Sequence, residues 1–282
     1  MNKSRKLYSE LQNTESIGNI THILESIASI RIKQIKDEVL GSREFFQHLW
    51  SIFSQLRVSD KDIKRDPAKA VKPKQAVILV TANAGLTGEV DTNLITKALS
   101  EVDPSKTDFF VYGLHGASLL TQRGIEPVKT FKFPEVGGDI DVSECIQAVS
   151  EYSTPIVYFP SYSSLTVQEI SRLELIDAVQ SVGSSQDNIS ADQVISLDNC
   201  IFEPSISEVV QYLERMMAST ILTEIILETN LAQYSSRFNA MTSASTRAKD
   251  MSKLIRRQYI QLKRYESDES NRRYGASRKV AV

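Results

Sequence analysis

The sequence predicts an α/β fold with two long terminal helices. All eight prolines lie between Pro67 and Pro204, so the first 66 residues and the last 78 contain none. Proline costs a helix interior roughly 3 kcal/mol, so its absence permits long helices, and apolar residues at helical spacing in both ends supply the positive evidence. We expect an amino-terminal helix over residues 1–66, a globular domain over 67–205 and a carboxyl-terminal helix over 206–282.

The amino-terminal segment has the repeat of an amphipathic or coiled-coil helix. Four isoleucines follow one another at spacings of 3, 4 and 3 residues: Ile20, Ile23, Ile27 and Ile30. Because such a row falls on one side of a helix, we expect it to form a seam. A bend is expected at Gly41 and Ser42. The apolar group beyond it is expected to pack against the middle domain: Phe45, Phe46, Leu49, Trp50 and Phe53.

The middle of the chain alternates between short apolar runs and helical segments. Three runs rich in β-branched and aromatic residues are predicted as buried strands: 76–80, 109–112 and 156–159. Helical character is found over 93–102, 142–152 and 165–182, and a closing strand or hairpin is indicated by 194–197 and 200–202. Alternating strands and helices are typical of an α/β domain, so we expect a Rossmann-like fold with a largely parallel sheet.

The carboxyl-terminal segment predicts the second helix of a coiled coil. Its apolar and small residues alternate at spacings of 3 and 4: Phe238, Met241, Ser245, Ala248, Ser252, Ile255, Tyr259 and Leu262. Such a seam winds left-handedly around a partner helix. A second row of small residues recurs every four positions and allows a close approach of another backbone: Ala232, Ser236, Ala240, Ala244 and Ala248. The amino-terminal helix is the economical partner.

Charge is distributed unevenly along the chain. The formal net charge is −2, yet the segment from Arg247 to Val282 holds eleven basic and four acidic residues, a net charge of +7 on an otherwise acidic protein. A basic arm of this kind binds nucleic acid, an anionic membrane or an acidic protein surface, or is a solvated helix face, and charge alone does not choose among them.

Other compositional features exclude several protein classes. Cys145 and Cys200 belong to no CxxC pair, which is typical of two buried thiols in a reducing compartment. No run approaches the roughly 18 apolar residues of a membrane span, and the basic amino terminus lacks the apolar stretch of a signal peptide. We therefore expect a soluble, unexported protein with no direct membrane span.

The residues themselves give no support to an enzyme, a cofactor or a metal site. The segment 81–88 follows a strand and precedes a helix, but it matches neither GxGxxG nor GxxxxGK[ST] and is interpreted as a tight turn. The three histidines, His22, His48 and His115, form no HExxH motif. A short acidic segment with Asp139, Asp141 and Glu144 is interpreted as an N-cap with first-turn charge: we expect no catalytic residue here.

Four segments, in order and over nearly the whole chain, resemble the gamma subunit of F-type ATP synthases. The family pattern A-R-M-x-A-M-x-x-A-T-x-N-A is similar to 236–248, which keeps Arg237, Ala240, Met241, Ala244 and Ala248. The family's I-T-K-A-M-K-M-V-A-A-A-K resembles 20–31, its D-R-G-L-C-G-G-L-N resembles 83–91, and its Y-x-Y-E-P-S resembles 200–205.

The resemblance implies a mechanical role. In that family the terminal helices form an antiparallel coiled coil inside a ring, or crown, of catalytic and noncatalytic subunits, while the α/β domain contacts the epsilon subunit and the membrane c-ring. Basic shaft residues meet an acidic lever of the catalytic subunits. The implied partner-contacting positions are Ile20, Leu24, Ile27, Arg31, Arg237, Met241, Arg247, Lys253 and Arg256. No nucleic acid is expected, and the location implied is the cytoplasmic face of a bacterial plasma membrane.

The chain departs from the family after Tyr259. Where the family continues N-x-x-R-Q-A-x-I-T-x-E, this sequence reads I-Q-L-K-R-Y-E-S-D-E-S over 260–270, and we expect a solvated or frayed tail. Thr87 and Arg247 replace the family's Cys and Asn. The altered tail motivates an alternative, a gamma-like shaft of a rotary ATPase that only hydrolyses ATP. An α/β enzyme with helical oligomerisation arms is a further alternative.

Overall fold

The computed structural model describes residues 2–55, 72–134, 137–138, 140–175 and 206–279. Its helices are α1 (Asn2–Gln55), α2 (Val90–Glu101), α3 (Leu114–Gln122), α4 (Ser143–Val149) and α5 (Ile206–Lys279), with a short 3-10 turn at Pro104–Lys106. Its strands are β1 (Gln75–Val80), β2 (Thr107–Tyr112), β3 (Lys129–Phe131), β4 (Ile156–Tyr162) and β5 (Gln168–Glu174). The predicted mixed α/β fold with two long terminal helices is confirmed.

The five strands form one mostly parallel sheet in the order β3-β2-β1-β4-β5. Strands β3, β2, β1 and β4 are parallel, and β5 pairs antiparallel with β4. The chain leaves β1 toward β2 and β3 and returns on the other side of β1 for β4. The strand order therefore reverses between β1 and β4, and the carboxyl end of β1 lies at this switch point.

Apolar side chains cover both faces of the sheet, as the buried runs in the sequence predict. On one face Ile78 and Phe110 pack with Ile146 of α4 and with Leu222 and Ile226 of α5. On the other face the side chains of β1, β2 and β4 pack with α2 and α3, with Val77, Leu79, Phe109, Leu94 and Leu120 all buried. Helices on both faces of a parallel sheet make a three-layer arrangement, which explains the near-continuous apolar strands.

One predicted helix of this domain is wrong. The segment expected to be helical over 165–182 instead contains β5, and its residues from 176 onward lie outside the described part of the chain. Strand β5 pairs along the whole of β4, and its Ile170 and Leu173 contribute to the opposite apolar faces. Pairing with the free edge of β4 satisfies the backbone N–H and C=O groups of this segment. The local spacing of apolar residues does not reveal that pairing, so the pattern alone predicted a helix.

Both terminal helices are longer than any other element. Helix α1 runs through Gly41 and Ser42 without a break. The side chains of the predicted aromatic group at 45–53 lie outside the described residues, as do Cys200, Asp139 and the predicted closing strands at 194–197 and 200–202.

Internal contacts divide the chain into two units, Met1–Ser29 with Arg237–Val282, and Ile30–Ser236. We call them the helical unit and the α/β unit. The domain boundaries predicted at 66 and 205 lie outside the described residues and stay predictions.

The acidic residues at the start of α4 make hydrogen bonds and an ion pair there. The Asp141 carboxylate accepts a hydrogen bond of 2.9 Å from the backbone N–H of Ser143, the first residue of the helix, although Val142 rather than Asp141 is the N-cap residue. This N–H bond holds the pKa of the Asp141 carboxyl below its ordinary value. Glu144 lies in the first turn and pairs with Lys129.

The lowered pKa of Asp141 predicts a pH-dependent contribution to stability. It is present above the unfolded-chain pKa of about 3.9 and is lost as the pH falls through the lower folded-state pKa. We expect Asp141→Ala to lower the thermal unfolding temperature at neutral pH and to have a smaller effect near pH 2. The matched control is Glu126→Ala, an exposed acid of the same unit. An equal effect of Asp141→Ala at both pH values would contradict the assignment.

Candidate functional site

The predicted seam of α5 is confirmed in the helical unit. Met241, Ser245, Ala248 and Ile255 are buried, and the remaining positions of the seam are half-buried: Phe238, Ser252, Tyr259 and Leu262. This seam therefore faces another part of the unit, as a repeat of 3 and 4 requires.

The face of α1 that meets this seam is different from the predicted one. Its buried residues in the helical unit also follow a heptad spacing, but they are mostly small or polar: Leu11, Thr14, Gly18, Thr21 and Ala28. A Cβ atom at Gly18 would lie 3.4 Å from the Cβ of Ala248, so the two backbones approach closely. The prediction that the isoleucine row forms the seam is therefore wrong. The close approach of the two helices leaves room for small side chains at the seam and not for large ones.

Polar and aromatic contacts fix the antiparallel register of the two helices. Thr242 Oγ1 donates to Glu25 Oε1 at 2.9 Å, and Arg256 Nη2 donates to Glu15 Oε1 at 2.8 Å. The rings of Tyr8 and Tyr259 lie 5.6 Å apart at one end of the pairing. The Thr242 hydroxyl, followed by His22, holds the pKa of the Glu25 carboxyl below its ordinary value. Residue numbers that rise on α1 while falling on α5 show that the helices are antiparallel.

The isoleucine row lies on the outer side of α1 and is exposed to solvent. Ile20, Ile23, Ile27 and Ile30 are each exposed by 46 to 61%. On α5, Met251 and Leu254 are exposed to a similar degree. Single exposed apolar residues are ordinary, but a row along one helix is typical of a surface that binds another protein.

The two helices also carry basic residues among the predicted contact positions. Arg247, Lys253 and Arg256 are exposed on α5, and Arg237 is half-buried there. On α1, Arg31 is half-buried and donates to Gln34 Oε1 at 3.0 Å.

The remaining predicted contact positions lie at different depths. Leu24 is half-buried, whereas Met241 is only 6% exposed and packs inside the helical unit. An outside partner therefore reaches Ile20, Ile27 and the exposed basic residues more readily than Met241.

Helix α5 continues after Tyr259, where the sequence pattern changes. It ends at Lys279, and nearly all side chains described between 260 and 273 are exposed or half-exposed, Tyr265 by 66%. Arg273 pairs with Glu269 one turn earlier. The tail is thus solvated, as expected, but it is helical rather than frayed.

The loop at the switch point, residues 81–88, is built around a buried carboxylate. Asp91, in the first turn of α2, is fully buried, and its Oδ2 lies 2.8 Å from His115 Nδ1 and accepts a 3.3 Å hydrogen bond from the Thr87 hydroxyl. The backbone N–H of Ala82 donates to Asp91 Oδ1 at 3.4 Å. A carboxylate at this place repels phosphate, so the geometry favours the interpretation of the loop as a structural turn.

Sequence reasoning missed the Asp91–His115 pair. The two residues are 24 positions apart and belong to no spacing motif, and His115 drew attention only as a metal ligand. The structure also places Cys145 inside the domain, where burial raises the pKa of its thiol to about 12.

Neither a metal centre nor a membrane span is formed by the described residues. They contain no group of three side chains with the composition of a metal site. None of their helices has a stretch long and apolar enough to cross a bilayer.

Comparison with known proteins identifies the family. The family model described as ATP synthase matches residues 3–265, ending close to the point where the tail departs from the family pattern. The ATP synthase gamma chain of Lachnoclostridium phytofermentans is 20% identical over 261 residues, covering 89% of each chain. That of Chloroherpeton thalassium is 23% identical over 269 residues, covering 88% of each chain.

Solved structures share the fold at lower identity. In the Euglena gracilis mitochondrial ATP synthase rotor the similarity covers 94% of this chain and 98% of the other, with a TM-score of 0.62 and 14% identity. In the central stalk and c-ring of the Tetrahymena thermophila mitochondrial ATP synthase it covers 80% and 99%, with a TM-score of 0.57 and 14% identity. Because the family model spans nearly the whole chain, the protein belongs to the ATP synthase gamma family, which forms the central stalk of that complex.

Proposed function

We propose that this chain turns as the rotor shaft of an F-type ATP synthase and couples ion flow to ATP synthesis or hydrolysis on neighbouring subunits. In this proposal the chain itself is non-catalytic, and the nucleotide sites belong to the crown of catalytic and noncatalytic subunits. The α/β unit contacts the epsilon subunit and the membrane c-ring. The complex lies at the cytoplasmic face of a bacterial plasma membrane.

The observation that carries the proposal is the outer surface of the helix pair. Small residues lie between α1 and α5, and this packing leaves Ile20 and Ile27 exposed on α1 and the basic Arg247, Lys253 and Arg256 exposed on α5. Apolar contacts supply binding energy, and basic side chains steer an acidic lever and set its register. Leu24, Arg31 and Arg237 are further proposed contact positions, and the buried Met241 acts on a partner only through the packing of α5.

The tail supports a second candidate function, a rotary ATPase that only hydrolyses ATP. The described residues beyond Tyr259 carry Glu266, Asp268, Glu269, Arg272 and Arg273 instead of the family's apolar and hydroxyl side chains. A charged helix binds an apolar surface of the crown poorly, because its charged side chains lose their hydration when they are buried there. The hydrolysis-only complex therefore differs from the first proposal in two ways: the tail of the shaft binds the crown differently, and there is no membrane ring.

Co-purification separates the two candidates. After gentle detergent extraction, the full chain should retain the catalytic and noncatalytic subunits, and the first proposal also requires the epsilon subunit and the membrane ring. A crown without that ring would favour the hydrolysis-only shaft. Recovery of the chain without any ATPase catalytic subunit would contradict both proposals.

The exposed isoleucines give a sharper prediction. Ile20→Ser together with Ile27→Ser removes two outward apolar side chains and leaves the buried face of α1 intact. We expect recovery of the catalytic subunit to fall by about tenfold or more, because each isoleucine that the partner covers contributes on the order of 1 kcal/mol to binding.

The matched control for this double variant replaces polar residues on the same helix. Ser26→Ala together with Ser29→Ala changes two exposed positions without removing apolar area and should keep normal recovery of the complex. Circular dichroism of each isolated chain verifies that the helices remain. Equal recovery from both double variants would show that the isoleucine row does not contact the crown.

A further inference from the structure

The α/β unit contains a hydrogen bond between the switch-point loop and α5. The hydroxyl of Ser236 donates to the backbone carbonyl of Thr87 at 2.7 Å. Gly88, next along the loop, has φ +64°, and a Cβ there would lie 3.2 Å from Ser236 Oγ. The absence of a side chain at Gly88 thus lets the loop backbone lie directly against the helix.

The backbone of this loop is held in place from beneath by Asp91. The buried carboxylate accepts hydrogen bonds from the Thr87 hydroxyl and the Ala82 N–H, and His115 donates to it through Nδ1. The N–H of His115 in turn donates to the carbonyl of Ala82 at 3.0 Å. One carboxylate therefore ties the loop to the start of α2 and to α3.

The loop is not in a relaxed conformation. Leu86 has φ +68°, a region that is strained for a bulky L-residue, and its side chain is 60% exposed. Burial of Asp91 also costs free energy unless the charge is fully hydrogen-bonded. Such costs persist only where surrounding contacts over-determine the geometry.

We propose that Asp91 and His115 are positioning residues that brace the loop 81–88 against Ser236, so that the Thr87–Ser236 contact stiffens α5 against twisting beyond its core contacts at Leu222 and Ile226. This inference rests on the proposed function as a rotor shaft. Ser236 directly precedes Arg237, one of the proposed partner-contacting positions, so the brace stiffens α5 where it leaves the α/β unit.

Torsional stiffness in the assembled complex tests the brace. With the crown immobilised, a bead is attached to the α/β unit through Lys106→Cys, an exposed position, and the angular width of each pause during ATP-driven rotation is measured. We expect Asp91→Asn and Ser236→Ala each to widen the distribution by about twofold, because each removes hydrogen bonds from the brace. The double variant should be no wider than the wider single variant, since both act through one contact.

Ser100→Ala is the matched control. Within the described part of the chain the Ser100 hydroxyl bonds only to the Lys97 carbonyl of its own helix, so this variant should leave the angular width unchanged. Should Asp91→Asn fail to assemble, Ser236→Ala and His115→Gln decide the question. Unchanged widths in the single variants, or widening that adds in the double variant, would overturn the brace. Failure of the unsubstituted chain to assemble with any crown would instead contradict the proposed rotor function.

Discussion

Replacing Gly113 with alanine is expected to lower the free energy of unfolding of the α/β unit by about 3 kcal/mol or more. Gly113 lies between β2 and α3 with φ +98°, outside the range that alanine adopts without strain. A Cβ atom there would lie 2.3 Å from the carbonyl oxygen of Thr81 and 2.4 Å from that of Ala82. Backbone atoms cannot move aside as a flexible side chain can, so the loop after β1 must shift.

Gly124→Ala is the matched control for this prediction. Gly124 also has a positive φ, +79°, but a Cβ at that position would meet nothing within 4 Å. The control therefore isolates backbone strain, with an expected loss of about 1 kcal/mol. Urea unfolding of the full chain, followed by circular dichroism, measures both variants. Similar losses would show that the close approach of Thr81 and Ala82 contributes little.

The central sheet could be predicted because its strands are fully buried. The runs at 76–80, 109–112 and 156–159 are apolar on both faces, which is what a parallel sheet between two helix layers requires. The short β3 and the edge strand β5 have no such run. Their pairing depends on neighbours distant in sequence, and the spacing of Ile170 and Leu173 is equally compatible with a helix.

The helix pair shows a different limit of sequence reasoning. The seam of α5 could be predicted because the repeat of 3 and 4 over 238–262 is also a buried face of the helix. Helix α1 carries two repeats with similar spacing, and the more hydrophobic one, with Ile20 and Ile27, is exposed. Close packing against Ala248 selects the row with Gly18 instead. Hydrophobicity alone therefore does not show which of two rows on a helix packs within the chain.

The Asp91–His115 pair could not be predicted from spacing at all. The sheet brings α2 and α3 together after separate strands, and only the folded backbone places the imidazole against the carboxylate. The resemblance in 83–91 includes Asp91, but His115 lies outside that segment, so only the tertiary fold forms the pair.

Ala248→Leu should separate the two helices of the helical unit. Ala248 is 8% exposed, and its Cβ would lie 3.4 Å from a Cβ built at Gly18, so the gap there is about one methyl group wide and is too small for three additional carbon atoms. Overpacking of this kind costs typically 1 to 3 kcal/mol, and we expect the helical unit to lose stability by that amount. Because the helices diverge, the bond between Thr242 and Glu25 should also lengthen or break.

Ser243→Leu makes a comparable change at an exposed position of the same helix and should leave stability within about 0.5 kcal/mol. Thermal unfolding of the full chain by circular dichroism compares the two variants. Amide hydrogen exchange then locates the loss, because Ala248→Leu should reduce protection in residues 8–28 and not in β1 or β2. If exchange instead rose throughout the sheet, the close contact between Gly18 and Ala248 would not be the cause, since both residues belong to the helical unit.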